Sequence, residues 1–386
     1  MPKRKEFLKI IKSHKCNICG AKNNLLIFSS QTPLSITSDL RIWPKGVVVF
    51  QCRKCGYVFK KPDKKELTKI YRSYQLFEDQ DEQDQAIFIP EKPPQSRTDL
   101  LIAMLATSAR LSNSGKILDI GCNKGLLLAK FSKKFPGWRL FGYEIADSYE
   151  EHLRKIPKFA GFYNGDLGRI KEKFNLITIV HTLEHINNPK EFLKKVRKLL
   201  LPNGLLLVQV PNYSLNPFDI LVFEHMSHFS PETLEQIMIN AGFKVVIKST
   251  STVPKELTYV ARIGDQSYAG ELKFGIFLRS LARKNVKFIS AFERLVRQAN
   301  NKHPLIIFGT AEAGTWIAGL VDNKIDFFVD ESPWKIGKQH LGVSIKHPDI
   351  LKRGDQVILG MAPILAHQVY NKWKHTNARF WYLFSY

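Results

Sequence analysis

The sequence predicts an α/β protein organised on parallel sheet, and three observations carry that prediction. From residue 116 onward, apolar segments of strand length alternate with amphipathic segments of helix length. Strands arranged that way are covered on both faces and hold ligands at their carboxyl ends. The stretch 116–125, KILDIGCNKG, is an apolar strand that breaks into Gly121, Asn123 and Gly125 before a new helical pattern over 126–135. Such a loop lets a ligand approach N–H groups at a helix start, because glycine takes positive φ cheaply and has no side chain in the way. Two Cys-x-x-Cys pairs near the N-terminus, by contrast, mark a small region of another kind. The predicted architecture is a central Rossmann-like sheet, an N-terminal four-cysteine zinc-ribbon-like domain and a smaller C-terminal Rossmann-like α/β domain.

A chain of 386 residues exceeds one ordinary core, so two or three domains are expected. Its 44% hydrophobic content excludes a disordered class. A formal charge of +23 favours anionic partners: nucleic acid, nucleotide-linked small molecules or an acidic surface. No apolar run approaches the roughly 18 residues that span a bilayer, and the opening MPKRKEFLKIIKSHK has no apolar h-region. The expected location is therefore cytoplasmic, without membrane insertion. Four of the five cysteines fall into the two pairs, which in a reducing compartment points to metal rather than disulfides.

In chain order, Cys16 and Cys19 form one knuckle and Cys52 and Cys55 the other, separated by β-rich stretches at 25–28 and 47–50. Four thiolates close a tetrahedral zinc site with no open coordination position, so the expected zinc is structural, and His14 is surplus to it. A helix begins after Pro62 with Asp63 as N-cap and Leu67, Ile70 and Tyr71 on one face. The acidic run 78–84 and the Pro-rich run 89–94 read as a connector to a second helix over 98–111. Strands follow at 138–143, ending in Glu144; at 159–163, followed by Asp166; and at 174–180, ending in His181. A helix at 189–200, a strand at 204–210, a helix at 231–241 and strands at 244–248 and 257–263 complete the sheet, the last two as an antiparallel hairpin at its edge. A helix over 271–300 leads to a smaller unit with strands at 305–308, 325–329, 356–359 and 379–384 and a helix at 315–321. Its Gly309/Gly314 turn lacks the Gly-x-Gly-x-x-Gly spacing of a dinucleotide site. The expected domains are 1–75, 76–268 and 269–386.

The ordered set LDIGCNKG, Glu144, Asp166, HTLEHINNP and LPNGLLLVQVPN resembles the class I S-adenosylmethionine-dependent methyltransferases over residues 116–263. An acid after the second strand also serves NAD-binding folds, but HTLEH and the antiparallel end of the sheet disfavour them. The resemblance implies a cofactor site made by Asp119, Gly121, Asn123 and Gly125, with Glu144 accepting from ribose hydroxyls, Asp166 from the adenine amino group, and His181 lining the cleft. Asp119 can equally hold the loop through its backbone N–H groups. Cys122 reads as a small packed residue. Glu184 and His185 either cap the following helix or line the pocket.

Acceptor chemistry centres on 218–230, FDILVFEHMSHFS. Methylating a carbon or hydroxyl requires a base, which histidine supplies near neutral pH. His225 is the candidate base; Glu224 would accept its ring N–H or act by itself, with His181 in support, and His228 would pack. The whole order of regions is similar to the nucleotide-sugar C-methyltransferases of deoxysugar biosynthesis, carried by IGCNKG, by EHMSHFS from Glu224 to Ser230, and by DESPWKIG from Asp330 to Gly337. That resemblance implies that His225 removes a proton next to a ketone of an anionic nucleotide-sugar, with the zinc domain over the acceptor pocket. Val222 and Phe223 stand where the family has Tyr and His, Ala313 where it has Lys, and Ala362-Pro363 where it has Trp-Asn. These departures fall at acceptor contacts and leave room for a small-molecule O- or N-methyltransferase. An RNA-binding zinc-ribbon methyltransferase is the other alternative, with Trp43, Tyr57 and Phe59 as stacking residues.

Overall fold

The computed structural model describes residues 15–73, 84, 86–87, 95–145, 147–264, 275–299, 305–322 and 324–383. His14 and most of the two connector runs lie outside the described residues. The N-terminal region contributes β1 (Asn24–Ser29), β2 (Val48–Cys52) and β3 (Val58–Lys60), followed by α1 (Lys64–Arg72). Asp63 caps α1 by accepting from the Lys65 N–H at 2.7 Å, as its position before the helical pattern predicts.

The central region begins with α2 (Arg97–Ser108) and β4 (Ser114–Ile120), then α3 (Leu126–Lys134), β5 (Gly137–Tyr143), β6 (Phe159–Tyr163) and β7 (Phe174–Val180). It continues through α4 (Pro189–Arg197), β8 (Leu200–Pro211), the two-residue β9 (Ser227–His228), α5 (Pro231–Asn240), β10 (Phe243–Ser249) and β11 (Glu256–Ile263). The seven-stranded sheet runs β6-β5-β4-β7-β8-β11-β10. All pairs from β6 to β8 are parallel, and β11 is antiparallel to both β8 and β10. The last two strands form the expected antiparallel hairpin at the sheet edge, with β11 inserted beside β8 and β10 outermost. Burial explains the insertion, since the apolar 257–261 segment is buried throughout while β10 alternates buried or half-buried with exposed residues.

After α6 (Gly275–Ala299) the chain forms β12 (Leu305–Phe308), α7 (Glu312–Leu320), β13 (Phe327–Val329), β14 (Gln339–His340), β15 (Val343–Lys346), β16 (Gln356–Leu359), α8 (Pro363–Trp373) and β17 (Arg379–Trp381). Their sheet runs β14-β15-β13-β12-β16-β17, parallel except for the β14 edge. The helix after the glycine turn starts at Glu312, three residues before the expected Thr315, and the β14/β15 pair was not expected.

The N-terminal sheet runs β1-β2-β3-β9, so its fourth strand comes from the 218–230 loop of the central region. Two cores meet on that loop. One joins Phe50, Tyr57 and Phe59 to Phe229, Leu234 and Met238; the other joins Ile36 and Val49 to Ile220, Val222, Phe288 and Trp316.

Candidate active site

Residues at the carboxyl ends of β4, β5 and β7 form one half of the candidate site. The chain leaves β4 towards β5 and β6 and later returns on its other side as β7, which opens the sheet between β4 and β7. Asp119 and Thr178 are cross-strand partners there, and the Thr178 hydroxyl donates to Asp119 Oδ1 at 2.6 Å. Burial pushes the Asp119 carboxyl up to about 7, against the pull of that hydroxyl. Gly121 has φ of 79° and lies so close to Thr182 that any side chain would collide with its hydroxyl. Only glycine fits this turn. Glu144 Oε2 accepts from the Asn123 N–H at 3.2 Å and Oε1 from Ile145 at 2.8 Å, which clamps the glycine loop to the end of β5. Burial raises the Glu144 carboxyl above its ordinary value despite these bonds.

Asp166 is exposed, caps a short turn through Gly168 N–H at 3.1 Å and pairs with Lys195 at 2.9 Å. His181 takes a left-handed φ of 48°, uncommon for a non-glycine residue, and sits between Glu184 (3.3 Å) and Glu256 (3.4 Å). Cys122 is buried against Gly142, in keeping with a packed residue.

The second half is the loop from β8 to α5. Asp219, which sequence reasoning missed, is its hub. Its Oδ1 binds His225 Nδ1 at 2.7 Å and its Oδ2 binds His228 Nδ1. Burial opposes the charge on Asp219, yet His228 and His225 hold its carboxyl far below the usual range. For His225, burial works against the imidazolium, but Asp219, Glu184 and Glu224 outweigh it and the ring's pKa lies above its ordinary value. His228 goes the other way, down to about 4, because burial dominates. The signal for Asp219 was its spacing of six and nine residues before two histidines, legible only once the loop is known to turn back on itself.

Glu224 does not take the ring N–H of His225. Its Oε1 instead accepts from the Ser38 N–H and hydroxyl, both at 2.7 Å. A cap on the remote loop satisfies this buried carboxylate better than the adjacent ring, whose Nδ1 already has Asp219. Further contacts tie the loop to the N-terminal region. Phe223 N–H donates to Ile36 carbonyl at 2.7 Å, Lys60 N–H to Met226 carbonyl at 2.9 Å, Lys60 Nζ to the carbonyls of Ile220 (3.0 Å) and Val222, and Tyr57 hydroxyl to Ser227 at 2.5 Å. His228 is a polar hub partner as well as a packed residue.

Cys16, Cys19, Cys52 and Cys55 converge, with Sγ atoms within 4.8 Å of one another and the pairs Cys16/Cys55 and Cys19/Cys52 at 3.5 Å. A tetrahedral ion with Zn–S bonds of about 2.3 Å needs sulfur spacings of roughly 3.8 Å. The four residues fit that ion. Each knuckle is closed by a turn, Gly20 N–H to Cys16 carbonyl and Gly56 N–H to Cys52 carbonyl, both at 2.9 Å. Tyr57 and Phe59 are buried beside them, so these two rings do not face a nucleic acid.

The family profile of a methyltransferase domain matches residues 65–248. The matched segment, 184 of the 386 residues, resembles a methyltransferase domain. Relatives of this segment differ in the atom their names assign. A ubiquinone biosynthesis O-methyltransferase of Actinobacillus pleuropneumoniae serotype 7 (strain AP76) is 25% identical over 119 residues, covering 28% of this chain and 50% of that protein. The C-methyltransferase NovU of Streptomyces niveus is 28% identical over 166 residues, covering 40% of this chain and 38% of its own length. The (S)-coclaurine N-methyltransferase of Thalictrum flavum subsp. glaucum is 20% identical over 116 residues, 28% of this chain and 32% of that one. The chain spans about half the length of the O-methyltransferase relatives it matches. The segment matched by the family profile includes the glycine loop, Glu144, Asp166 and the acceptor loop. No helix among the described residues is long and apolar enough to cross a membrane.

Proposed function

We propose that the protein is an S-adenosylmethionine-dependent C-methyltransferase acting on a nucleotide-linked keto-deoxysugar, with His225 as the base. The observation that carries this reading is the Asp219–His225 pair. With Nδ1 donating to Asp219 at 2.7 Å, the ring holds its lone pair on Nε2, which makes no hydrogen bond among the described residues. A buried carboxylate behind an imidazole fixes its tautomer and stabilises the imidazolium once a proton is taken.

The cofactor supplies an electrophilic methyl group on a sulfonium. Asp119, Gly121, Asn123 and Gly125 would receive its amino-acid part, Glu144 its ribose hydroxyls and Asp166 its adenine amino group. The carboxylate of Glu144 at the end of β5, beside the glycine loop, fits that group. His225 Nε2 would remove a proton from the carbon beside the acceptor's ketone and hold it as the imidazolium, leaving that carbon nucleophilic toward the methyl group the bound cofactor would supply. Asp219 is a positioning residue, Glu224 anchors the loop to Ser38, and His181 lies in the same site between Glu184 and Glu256. The C-terminal domain would grip the acceptor's anionic end. The cysteines would hold a structural zinc that fixes β3 and so the base.

Oxygen transfer is the second reading, favoured by the names of several relatives. One experiment tests both. Nucleoside-diphosphate keto-deoxysugars are incubated with the protein in deuterated water, then with S-adenosylmethionine carrying a ¹³C-labelled methyl. The expected outcome is deuterium beside the ketone and a product methyl bonded to carbon by NMR. A methyl on oxygen or nitrogen refutes the C-methylation reading.

A further inference from the structure

Between the two halves of the candidate site, Glu184, His185 and His225 each point one ligand atom to a common space, and these atoms lie within 4.8 Å of one another. Glu184 is 1% exposed, and neither of its carboxylate oxygens accepts a hydrogen bond among the described residues. Its ion-pair contact is His181 Nδ1 at 3.3 Å. Leaving a buried carboxylate so poorly satisfied is costly, and a cation beside it removes the cost. The His185 and His225 rings stand perpendicular with centroids 4.7 Å apart. His225 already gives Nδ1 to Asp219, which leaves Nε2 as the donor and places a carboxylate behind it, as is usual for metal-binding imidazoles. The short turn Leu183–His185 is locked to the acceptor loop, because the Glu184 carbonyl accepts from the Met226 N–H at 2.8 Å.

We infer that Glu184, His185 and His225 form a second divalent transition-metal site, separate from the four cysteines, and that an ion held there occupies the nitrogen that proton abstraction requires. Two imidazoles and a carboxylate suit Zn²⁺, Co²⁺ or Ni²⁺. Bonds of about 2.1 Å would set neighbouring ligands roughly 3.4 Å apart, so the three side chains close on the ion by small torsions. Metal binding stands independently of the methyl-transfer reading; the blocking of the base rests on it.

Full-length protein carrying zinc on its cysteines is titrated with Co²⁺ alone and followed by visible absorption. The expected result is d–d bands without a thiolate charge-transfer band, saturating at one cobalt per chain. Affinity should fall by about tenfold or more in Glu184→Gln and in His185→Ala. No saturable cobalt binding by the wild type, or undiminished binding by both variants, overturns the site. His185 is only partly buried, so His185→Ala serves where Glu184→Gln fails to fold. Cofactor affinity measured by calorimetry in the same samples judges the methyltransferase reading separately. Cobalt that binds without slowing deuterium exchange beside the ketone overturns the blocking clause.

Discussion

In the cofactor half of the candidate site each candidate residue lies at or within a few positions of the end of a strand, from Asp119 in β4 to His181 after β7. The acceptor half instead draws Ser38 and Lys60 from the N-terminal region, Glu184 from a turn after β7, and Asp219 to His228 from the loop after β8. The Ser38–Glu224 bond alone joins residues 186 positions apart. A half built from strand ends keeps its geometry as long as one sheet folds. A half built from remote segments depends on every region that meets at the loop, so the two should respond differently to substitution.

The largest effect should come from His225→Asn, which removes the base from the acceptor half. Methyl transfer and deuterium exchange should fall by roughly 10²–10⁴. Cofactor affinity by calorimetry should stay within about twofold, and a parallel loss of both would end the division into halves.

Asp219→Asn sharpens the comparison within the acceptor half. Asp219 raises the His225 pKa, and the ring acts as a base only when unprotonated, so exchange should climb with pH through that raised value. Replacing the carboxylate should reduce the exchange rate by about tenfold or more, as a mispositioned ring does in related dyads. It should also move the rising limb of the pH profile to lower pH. A uniform rate loss with an unmoved limb would leave Asp219 a purely structural residue.

The converse variant is Glu144→Ala. Hydrogen bonds to a charged group contribute about 1.5–3 kcal/mol, so cofactor affinity should weaken roughly 10- to 100-fold. Deuterium exchange without the cofactor should persist. Unchanged calorimetric affinity would remove Glu144 from the cofactor site.

The same contrast explains what could be read from the sequence. The succession of strands and helices up to β8, the glycine turn and the convergence of the cysteine knuckles were legible because each is a local pattern: alternating period, a turn residue, a fixed spacing. Asp219, Ser38 and Lys60 were not. Nothing within a helical turn of Ser38 signals a carboxylate 186 positions away, and Lys60 reads as one more cation in a chain rich in them. Glu224 and His225 illustrate the failure most directly. Adjacent in sequence, they face different partners, because one belongs to the contact with Ser38 and the other to the hub at Asp219. The edge hairpin was legible from the missing helix between its strands, while the choice of β11 as its inner strand is made by burial across the sheet.

Lys60 gives the smallest expected effect and the finest test of how the remote half is held. Its side chain is buried, donates to the carbonyls of Ile220 and Val222, and has its pKa lowered to about 7 by burial, against the attraction of Asp219 and Glu224. An unfolded lysine titrates near 10.4, so between pH 7 and that value the unfolded chain binds the extra proton. Folding stability should therefore rise with pH across this window, by up to about 1.4 kcal/mol per unit, and the penalty should be fully present below pH 7. Lys60→Met removes the titrating group while keeping the buried stem. The stability of wild type minus variant, from denaturant unfolding at pH 7, 8 and 9 with zinc supplied, should increase steadily. A flat difference would mean that the amine stays charged, with Asp219 and Glu224 repaying its burial in full; the loop would then be held by an ion cluster rather than by two carbonyls.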